Sequence, residues 1–267
     1  MSLVMFQSSS AGFVTFVGAG PGAADLITLR GLRALQQAEV VLHDDLAGRD
    51  LLENCRPGTE FVYVGKRSGC HSAAQEEINW LLVAHARRGK RVVRLKGGDP
   101  SVFGRLGEEI QVLRAAEIAY EIVPGVTAAC AAAAAAGISL TQRGVASTAI
   151  FTTGHESENK ERGRSVDWSA LAHPGATLCV YMGTRRLGEI AQRLARQGIA
   201  ADTPLLIVSY ASRPNQAIRA GTLASAAALA AEAEDTPSLI IIGEAAAQHR
   251  ASFAGTGSVR EIAHASR

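Results

Sequence analysis

The stretch that decides the fold is RVVRLKGGDP, at residues 91–100. Its first half carries the β-branched and apolar side chains that are typical of a buried strand. The strand ends at Gly97 and Gly98, which allow positive φ angles and close approach of a ligand, and Pro100 forbids a continued ladder. A helical segment follows near Glu108, and this order of strand, glycine loop and helix predicts a ligand pocket at the strand's carboxyl end. Alone, GGDP is equally consistent with a tight turn that carries an acidic surface residue.

Strand and helix patterns alternate on both sides of this stretch. Further strands are predicted at residues 13–17, 40–42, 61–64 and 120–123, with helices between them. The alternation predicts a mostly parallel α/β sheet with right-handed crossovers.

The second half has the pattern of a different sheet. Residues 127–136 are nearly all alanine and predict a closely packed helix, near which we place the domain boundary. Fewer helices separate the later strands, which predicts a mixed or antiparallel sheet. We therefore predict four segments: a disordered lead-in at 1–12, an N-terminal α/β domain at 13–125, a C-terminal α/β domain at 126–250 and a tail at 251–267. Residues 156–165 are polar and predict a mobile loop.

Composition excludes several classes of protein. The 267 residues are 47% hydrophobic and 19% charged, which is typical of a globular chain. No apolar run is long enough to cross a bilayer, no signal peptide is visible, and a net charge of +2 argues against nucleic acid as a partner. The spacing of the four cysteines predicts no metal site and indicates reduced thiols in a cytoplasmic protein: Cys55, Cys70, Cys130 and Cys179.

A first glycine loop, GAGPGA at residues 18–23, fits the loose dinucleotide pattern G-x-G-x-x-G/A. Asp44 ends the next strand, where a ribose-binding carboxylate would lie, so an NAD-dependent oxidoreductase is one hypothesis. Pro21 argues against it, because a proline removes an N–H where the pyrophosphate-binding helix should begin. A dinucleotide fold also has no need of the further special loops at 97–99 and 124–127.

Eight motifs together resemble a known family. From Val17 to Gly183 the chain carries, in order, VGAGPG, VVLHD, VGKR, QEEIN, RLKGGDPSVFGR, VPGVTAA, TGHE and YMG. The set resembles the tetrapyrrole methylases, especially the members that methylate uroporphyrinogen III, and covers nearly all of the chain after residue 12. The resemblance implies two α/β domains with S-adenosylmethionine in the cleft between them, usually in a homodimer. It also implies cofactor contacts from Pro21, Gly97, Gly98, Asp99, Val102, Thr127, Ala128, Met182 and Ala211.

The reaction that the resemblance implies is the addition of methyl groups to C2 and C7 of uroporphyrinogen III, giving precorrin-2 for siroheme or cobalamin biosynthesis. Asp44 matches the expected proton acceptor and Lys66 the expected donor. Basic side chains in or beside the motifs are candidates for binding the substrate carboxylates: Arg67, Arg94, Lys96, Arg105 and Arg143. Without the motifs, a capping carboxylate, a solvated lysine and a core methionine would be the favoured explanations for Asp44, Lys66 and Met182.

Some positions depart from the family pattern. Leu106 stands where a glycine is expected, and we expect its side chain to crowd a loop near the cofactor. His43 replaces a common tyrosine, and Asp45 replaces an arginine or alanine. These departures keep open the hypothesis of a non-catalytic relative that binds the cofactor. A methyltransferase for a later corrin precursor is a further alternative. The chain shows no dehydrogenase/chelatase domain of a fused siroheme synthase, so we expect a stand-alone enzyme.

Overall fold

The computed structural model describes residues 12–45, 48–65, 75–155, 166–173, 175–233 and 236–249. The chain divides into two compact units, with the boundary between Ala128 and Ala129. Several predicted features lie outside the described residues: Lys66, Arg67 and Cys70, the loop at 156–165, the tail at 251–267 and all but the last residue of the lead-in.

The first unit contains a fully parallel five-stranded sheet, which confirms the predicted architecture. Its strands are β1 (Phe13–Gly18), β2 (Val40–His43), β3 (Glu60–Tyr63), β4 (Arg91–Lys96) and β5 (Ala119–Val123). Their spatial order is β3-β2-β4-β1-β5, so β4, which carries the RVVRLK stretch, is the central strand.

Helices cover this sheet because its strands bury apolar side chains on both faces. The helices are α1 (Leu29–Gln37), α2 (Arg49–Leu52), α3 (Gln75–Arg87) and α4 (Leu106–Ala115). On one face Val92 packs in a cluster with Leu82 of α3 and Leu113 of α4. On the other face Val93 and Leu95 pack in a cluster that includes Leu35 of α1. The two clusters follow from the alternation of side chains along a strand.

The second unit contains a mixed five-stranded sheet, as predicted. Its elements are α5 (Ala128–Ala136), which begins at the boundary, β6 (Thr148–Thr153), α6 (Trp168–Leu171), β7 (Ala176–Tyr181), α7 (Leu187–Arg196), β8 (Pro204–Ser209), β9 (Ala217–Thr222), α8 (Ala226–Glu232) and β10 (Ser238–Ile242). The strand order is β6-β7-β10-β8-β9. Only the β6–β7 pairing is parallel; the other three are antiparallel.

Helix α7 shows why the second unit is stable. Its buried residues Leu187, Ile190 and Leu194 recur at helical spacing and belong to one core cluster with Ile240 of β10. Among the described residues, no helix is both long and apolar enough to span a membrane.

Candidate active site

The candidate site begins at the carboxyl edge of the parallel sheet. Strand register pairs Gly18 with Lys96, Val17 with Val123 and His43 with Leu95, so these strand ends lie side by side. The loops that carry the motif residues therefore start at one edge, which is where open α/β sheets bind their ligands.

Three glycines from three strand ends pack backbone to backbone at this edge. A Cβ atom on Gly125 would lie 2.3 Å from the carbonyl oxygen of Gly98, and one on Gly18 would lie 2.6 Å from the Cα of Gly125. No side chain fits at these distances, so the loops after β1, β4 and β5 approach each other only because these residues are glycines.

The first glycine loop is bound to the second by an antiparallel bridge. Gly98 N–H donates to the Gly20 carbonyl at 2.7 Å, and Gly20 N–H donates to the Gly98 carbonyl at 3.2 Å. Gly20 has a positive φ angle of 78°, and Gly98 has one of 68°. Helix α1 begins only at Leu29, after a separate 3-10 turn, and the Thr28 hydroxyl caps it by accepting from Gly31 N–H at 3.1 Å. In the dinucleotide fingerprint, by contrast, the glycine loop leads directly into the helix, and the strand order is 3-2-1-4-5.

Asp99 holds the GGDP loop in shape. One carboxylate oxygen accepts from the backbone N–H of Ser101 at 2.8 Å and from its hydroxyl, and the other accepts from Gly125 N–H at 2.9 Å. Partial burial opposes ionisation, but these hydrogen bonds outweigh it and lower the pKa of Asp99. The carboxylate therefore joins the loops that follow β4 and β5.

Two residues after the GGDP turn have a strained backbone. Phe103 and Arg105 adopt left-handed φ angles of 52° and 53°, which are costly for residues with a Cβ and are found most often at functional sites. The Arg105 guanidinium donates two hydrogen bonds to Glu108, at 2.8 and 2.7 Å, while its side chain stays 58% exposed.

The second unit has a similar edge. Strands β7 and β8 run in the same direction because each is antiparallel to β10, so their carboxyl ends lie at one edge. Met182 follows β7 with a φ of 54°, and Tyr210 and Ser212, which flank Ala211 after β8, have φ angles of 51° and 67°. Met182 is 57% exposed, which excludes core packing as the explanation for this residue and leaves its thioether accessible to a ligand.

A buried cluster of charged side chains lies beneath the edge of the first sheet. The Glu109 side chain is fully buried; one oxygen accepts from Arg94 Nε at 3.1 Å and the other from Lys96 Nζ at 2.7 Å. Gln75 Nε2 donates to the first of these oxygens at 3.4 Å. Burial lowers the pKa of Lys96, and the positive charge of Arg94 lowers it further, while Glu109 opposes both effects. Arg94 Nη1 also lies 3.6 Å from an oxygen of Asp44.

The structure distributes the predicted substrate-binding residues between two environments. Arg105 and Arg143 are exposed, the first on the strained loop and the second in a turn of the second unit. Arg94 and Lys96 have side chains only 6% exposed and are paired with Glu109. Their position beside the glycine loop was expected, but their burial was not, because the sequence pattern predicts a helix near Glu108 without showing which face of the sheet it covers.

Glu109 itself was missed by the motif analysis. Leu106, Glu109 and Leu113 are the three buried residues of α4, and their spacing of three and four residues places them on one helix face. That periodicity could have identified Glu109 as a carboxylate that faces the core.

The departures from the family pattern have local explanations. Leu106 is 8% exposed and belongs to the core cluster of the first sheet. The expectation that it crowds the loop surface is therefore corrected, since its side chain packs inward at the start of α4. The His43 ring makes edge contacts with Phe61 and Tyr63, the Tyr63 hydroxyl donates to Asp45, and burial lowers the pKa of His43.

Comparison with known proteins agrees with this geometry. The family model for Tetrapyrrole (Corrin/Porphyrin) Methylases matches residues 14–227. The chain is 50% identical over 233 residues to the siroheme synthase of Zymomonas mobilis, covering 87% of this chain and 49% of that protein. It is 50% identical over 243 residues to siroheme synthase 1 of Yersinia enterocolitica, covering 91% and 51%. The chain thus spans about half the length of these curated relatives.

Two solved structures extend the likeness to the fold. Uroporphyrin-III C-methyltransferase from Thermus thermophilus, complexed with S-adenosyl homocysteine, is 42% identical with a TM-score of 0.74, covering 88% of this chain and 98% of that one. The cobalt precorrin-4 methyltransferase CbiF is 31% identical with a TM-score of 0.78, covering 91% and 99%.

These matches identify the class of protein as a methyltransferase. Within that class, the chain belongs to the tetrapyrrole (corrin/porphyrin) methylases. The NAD-dependent oxidoreductase hypothesis is thereby overturned, in agreement with the late start of α1 and the strand order of the sheet.

Proposed function

We propose that this protein transfers methyl groups from S-adenosylmethionine to C2 and C7 of uroporphyrinogen III and so forms precorrin-2. The observation that carries the proposal is the likeness to the Thermus thermophilus uroporphyrin-III C-methyltransferase, at 42% identity over 98% of that chain. The order of the motifs from Val17 to Gly183 and the 50% identity to siroheme synthases support it.

The proposed cofactor residues fit a molecule with polar and apolar parts. A Cβ on Gly98 would find its nearest neighbours only at 3.9 Å, on Thr127 and Ala128, so this turn is open to a ligand. Its backbone, with that of Gly97, offers hydrogen-bonding groups at close range, and the exposed Met182 offers an apolar thioether. Pro21 and Val102, in loops of the first unit, and Ala211, in a loop of the second unit, complete the proposed set. When bound, S-adenosylmethionine supplies an electrophilic methyl group on its sulfonium.

The protein's own chemistry is positioning and proton transfer. Transfer of the methyl group forms a carbon–carbon bond, releases S-adenosylhomocysteine and leaves a positive charge on the tetrapyrrole, which must then lose a proton from elsewhere on the macrocycle. We assign Asp44, at the end of β2, as the acceptor of that proton. Its side chain is 25% exposed, so the carboxylate lies at the accessible edge of the sheet while Arg94 approaches it from the buried side. Lys66, outside the described residues, remains the proposed proton donor.

The substrate carries carboxylates, and we assign their recognition to Arg67, Arg105 and Arg143. The exposure of Arg105 and Arg143 supports this assignment, because a guanidinium must be accessible to bind a carboxylate in a bidentate manner. For Arg94 and Lys96, which Glu109 already engages, burial favours a different role.

We also propose that the protein acts as a cytoplasmic homodimer that uses no nucleic acid or membrane partner. The family resemblance supports this state, and two exposed aromatic side chains of the first unit are consistent with it: Phe61, 48% exposed on edge strand β3, and Trp80, 64% exposed on α3. Light scattering after gel filtration tests it, and a monomeric mass would contradict it.

The test of function is anaerobic incubation of the purified protein with uroporphyrinogen III and methyl-labelled S-adenosylmethionine, followed by mass analysis of the tetrapyrrole. Gain of two methyl groups is expected, and Asp44→Asn should slow the transfer strongly while it retains cofactor affinity. Gain of only one methyl group would indicate that the second methylation is defective. No transfer with intact cofactor binding would contradict the proposed substrate and favour a non-catalytic relative.

A second candidate is methylation of a later corrin precursor. The specific observation in its favour is the TM-score of 0.78 to cobalt precorrin-4 methyltransferase, which exceeds the 0.74 to the Thermus thermophilus enzyme. The lower identity, 31% against 42%, argues for uroporphyrinogen III instead. Competition between the two tetrapyrroles for the same labelled cofactor separates the candidates.

A further inference from the structure

The buried carboxylate of Glu109 lies at the centre of an ion cluster to which the proposed reaction assigns no role. Arg94 and Lys96 are two residues apart on β4, so their side chains project from the same face of the sheet. Each cation binds a different oxygen of Glu109. Glu109 is therefore the counter-charge that allows two cations to be buried side by side.

The orientation of Arg94 follows from its three contacts. Its Nε donates to Glu109 at 3.1 Å, its Nη1 donates to the carbonyl of Leu95 at 3.0 Å, and the same Nη1 lies 3.6 Å from Asp44. A guanidinium is planar and rigid, so fixing Nε on one carboxylate fixes the direction in which the Nη atoms point. The chain of contacts from Glu109 through Arg94 to Asp44 joins a fully buried carboxylate to one at the accessible edge.

We propose that Glu109 is a positioning residue for methyl transfer: it orients the Arg94 guanidinium, which in turn holds the Asp44 carboxylate in place to accept the proton. Arg94 acts in this role from the buried side of Asp44 and does not bind a substrate carboxylate. The inference rests on the proposed function, because it gives Asp44 its role as proton acceptor.

The test is a double-mutant cycle measured as the rate of labelled methyl transfer. Glu109→Gln keeps the size of the side chain but removes its charge, and we expect the rate to fall roughly tenfold or more, with little change in cofactor affinity. On an Asp44→Asn background the same substitution should have little further effect, because the residue through which it acts is already disabled. Glu121→Gln, on β5 with a side chain 43% exposed, is the matched control and should keep the full rate.

A second pair of variants covers the case in which Glu109→Gln does not fold. Arg94→Lys keeps a positive charge beside Glu109 but loses the planar group that spans the two carboxylates, and we expect it to lower the rate while thermal stability is largely retained. Arg91→Lys, on the same strand with a side chain 55% exposed, should keep the full rate.

The outcomes separate the inference from the proposed function. Equal losses from Glu109→Gln in the wild-type and Asp44→Asn backgrounds would show a general structural role and overturn the inference alone. Full activity of Arg94→Lys would also overturn it. No transfer by the wild type, with intact cofactor binding, would overturn the proposed function and with it the inference.

Discussion

Two triads of charged side chains in this protein have similar compositions and opposite environments. The buried triad joins β4 to α4 and consists of Arg94, Lys96 and Glu109. The surface triad lies at the start of α7 and consists of Arg186, the residue just before the helix, and Glu189 and Arg193 within it, whose side chains are 32%, 45% and 34% exposed. Each triad places one glutamate between two cations.

The two triads differ in the surroundings of the cations that would remain if the glutamate were removed. The cations of the surface triad are three and four residues away on the same helix segment, and water solvates them whether or not Glu189 is present. The cations of the buried triad lie on another element and have almost no access to water. We therefore expect Glu189 to contribute little to the stability of the protein, whereas the loss of Glu109 should destabilise it strongly.

The largest expected effect follows from removing each glutamate in turn. Glu109→Ala removes the carboxylate that Lys96 and Arg94 share and leaves only the more distant Asp44 carboxylate, 3.6 Å from Arg94, and we expect it to lower the free energy of unfolding by about 3–5 kcal/mol. Glu189→Ala should barely move the urea midpoint. Equal shifts in urea denaturation would contradict the distinction between the two triads.

A smaller effect is expected from replacing two glycines by alanine, one in packed surroundings and one in open surroundings. Gly125→Ala places a Cβ 2.3 Å from the Gly98 carbonyl oxygen, and Gly107→Ala, in α4, places one where nothing lies within 4 Å. We expect the first to cost about 1–3 kcal/mol through overpacking and also to weaken cofactor binding. The second should be neutral or should stabilise the helix by about 0.5–1 kcal/mol. Calorimetric titration with S-adenosylhomocysteine and urea denaturation measure both variants.

Replacing the whole buried triad should change stability less than removing its glutamate alone. The triple variant Arg94→Leu, Lys96→Met, Glu109→Leu removes the charges together, and its free energy of unfolding is expected to stay within about 1–2 kcal/mol of the wild type or to exceed it. Methyl transfer should nevertheless be lost. A triple variant as unstable as Glu109→Ala would show that the ion pairs themselves hold this unit together.

The smallest expected effect is the response of the surface triad to pH and salt. The hydrogen bond from Arg186 lowers the pKa of Glu189 below its ordinary value of 4.5. The stabilisation is therefore complete above that value and is lost as the pH falls through the lowered pKa. The difference in urea midpoint between wild type and Glu189→Gln should vanish at low pH and in about 1 M salt. A difference that persists under both conditions would contradict a solvent-screened triad.

Much of this fold could be predicted from local patterns. The strand RVVRLK followed by GGDP indicated a buried strand and a ligand loop, and the structure places β4 at the centre of a parallel sheet. Element bounds differ from the prediction by only a few residues, since strand and helix periodicity are local properties. Long-range contacts were harder to predict: the bridge between Gly20 and Gly98 joins residues that are distant in sequence, and it adds to the local effect of Pro21 in keeping GAGPG from opening a helix.

The candidate site shows the same division. The motifs identified the loop residues, which the structure brings to the edges of the two sheets, but they did not predict that Arg94 and Lys96 are buried beside Glu109. Exposure decides such roles, and exposure depends on which helix covers which face. Met182 illustrates the converse, because a methionine is usually a core residue and the structure leaves this one 57% exposed.

By itself the sequence determined the class of fold, the glycine loops and the family, because these depend on periodicity and on residue types at short spacing. The tertiary structure alone decided that Glu109 faces β4 and that Arg94 points to Asp44. It also decided that Leu106 turns into the core and that three glycines from separate strand ends meet. The physical reason is that burial and charge pairing arise only when elements distant along the chain pack together, and the free energy of a charged side chain is set by that packing.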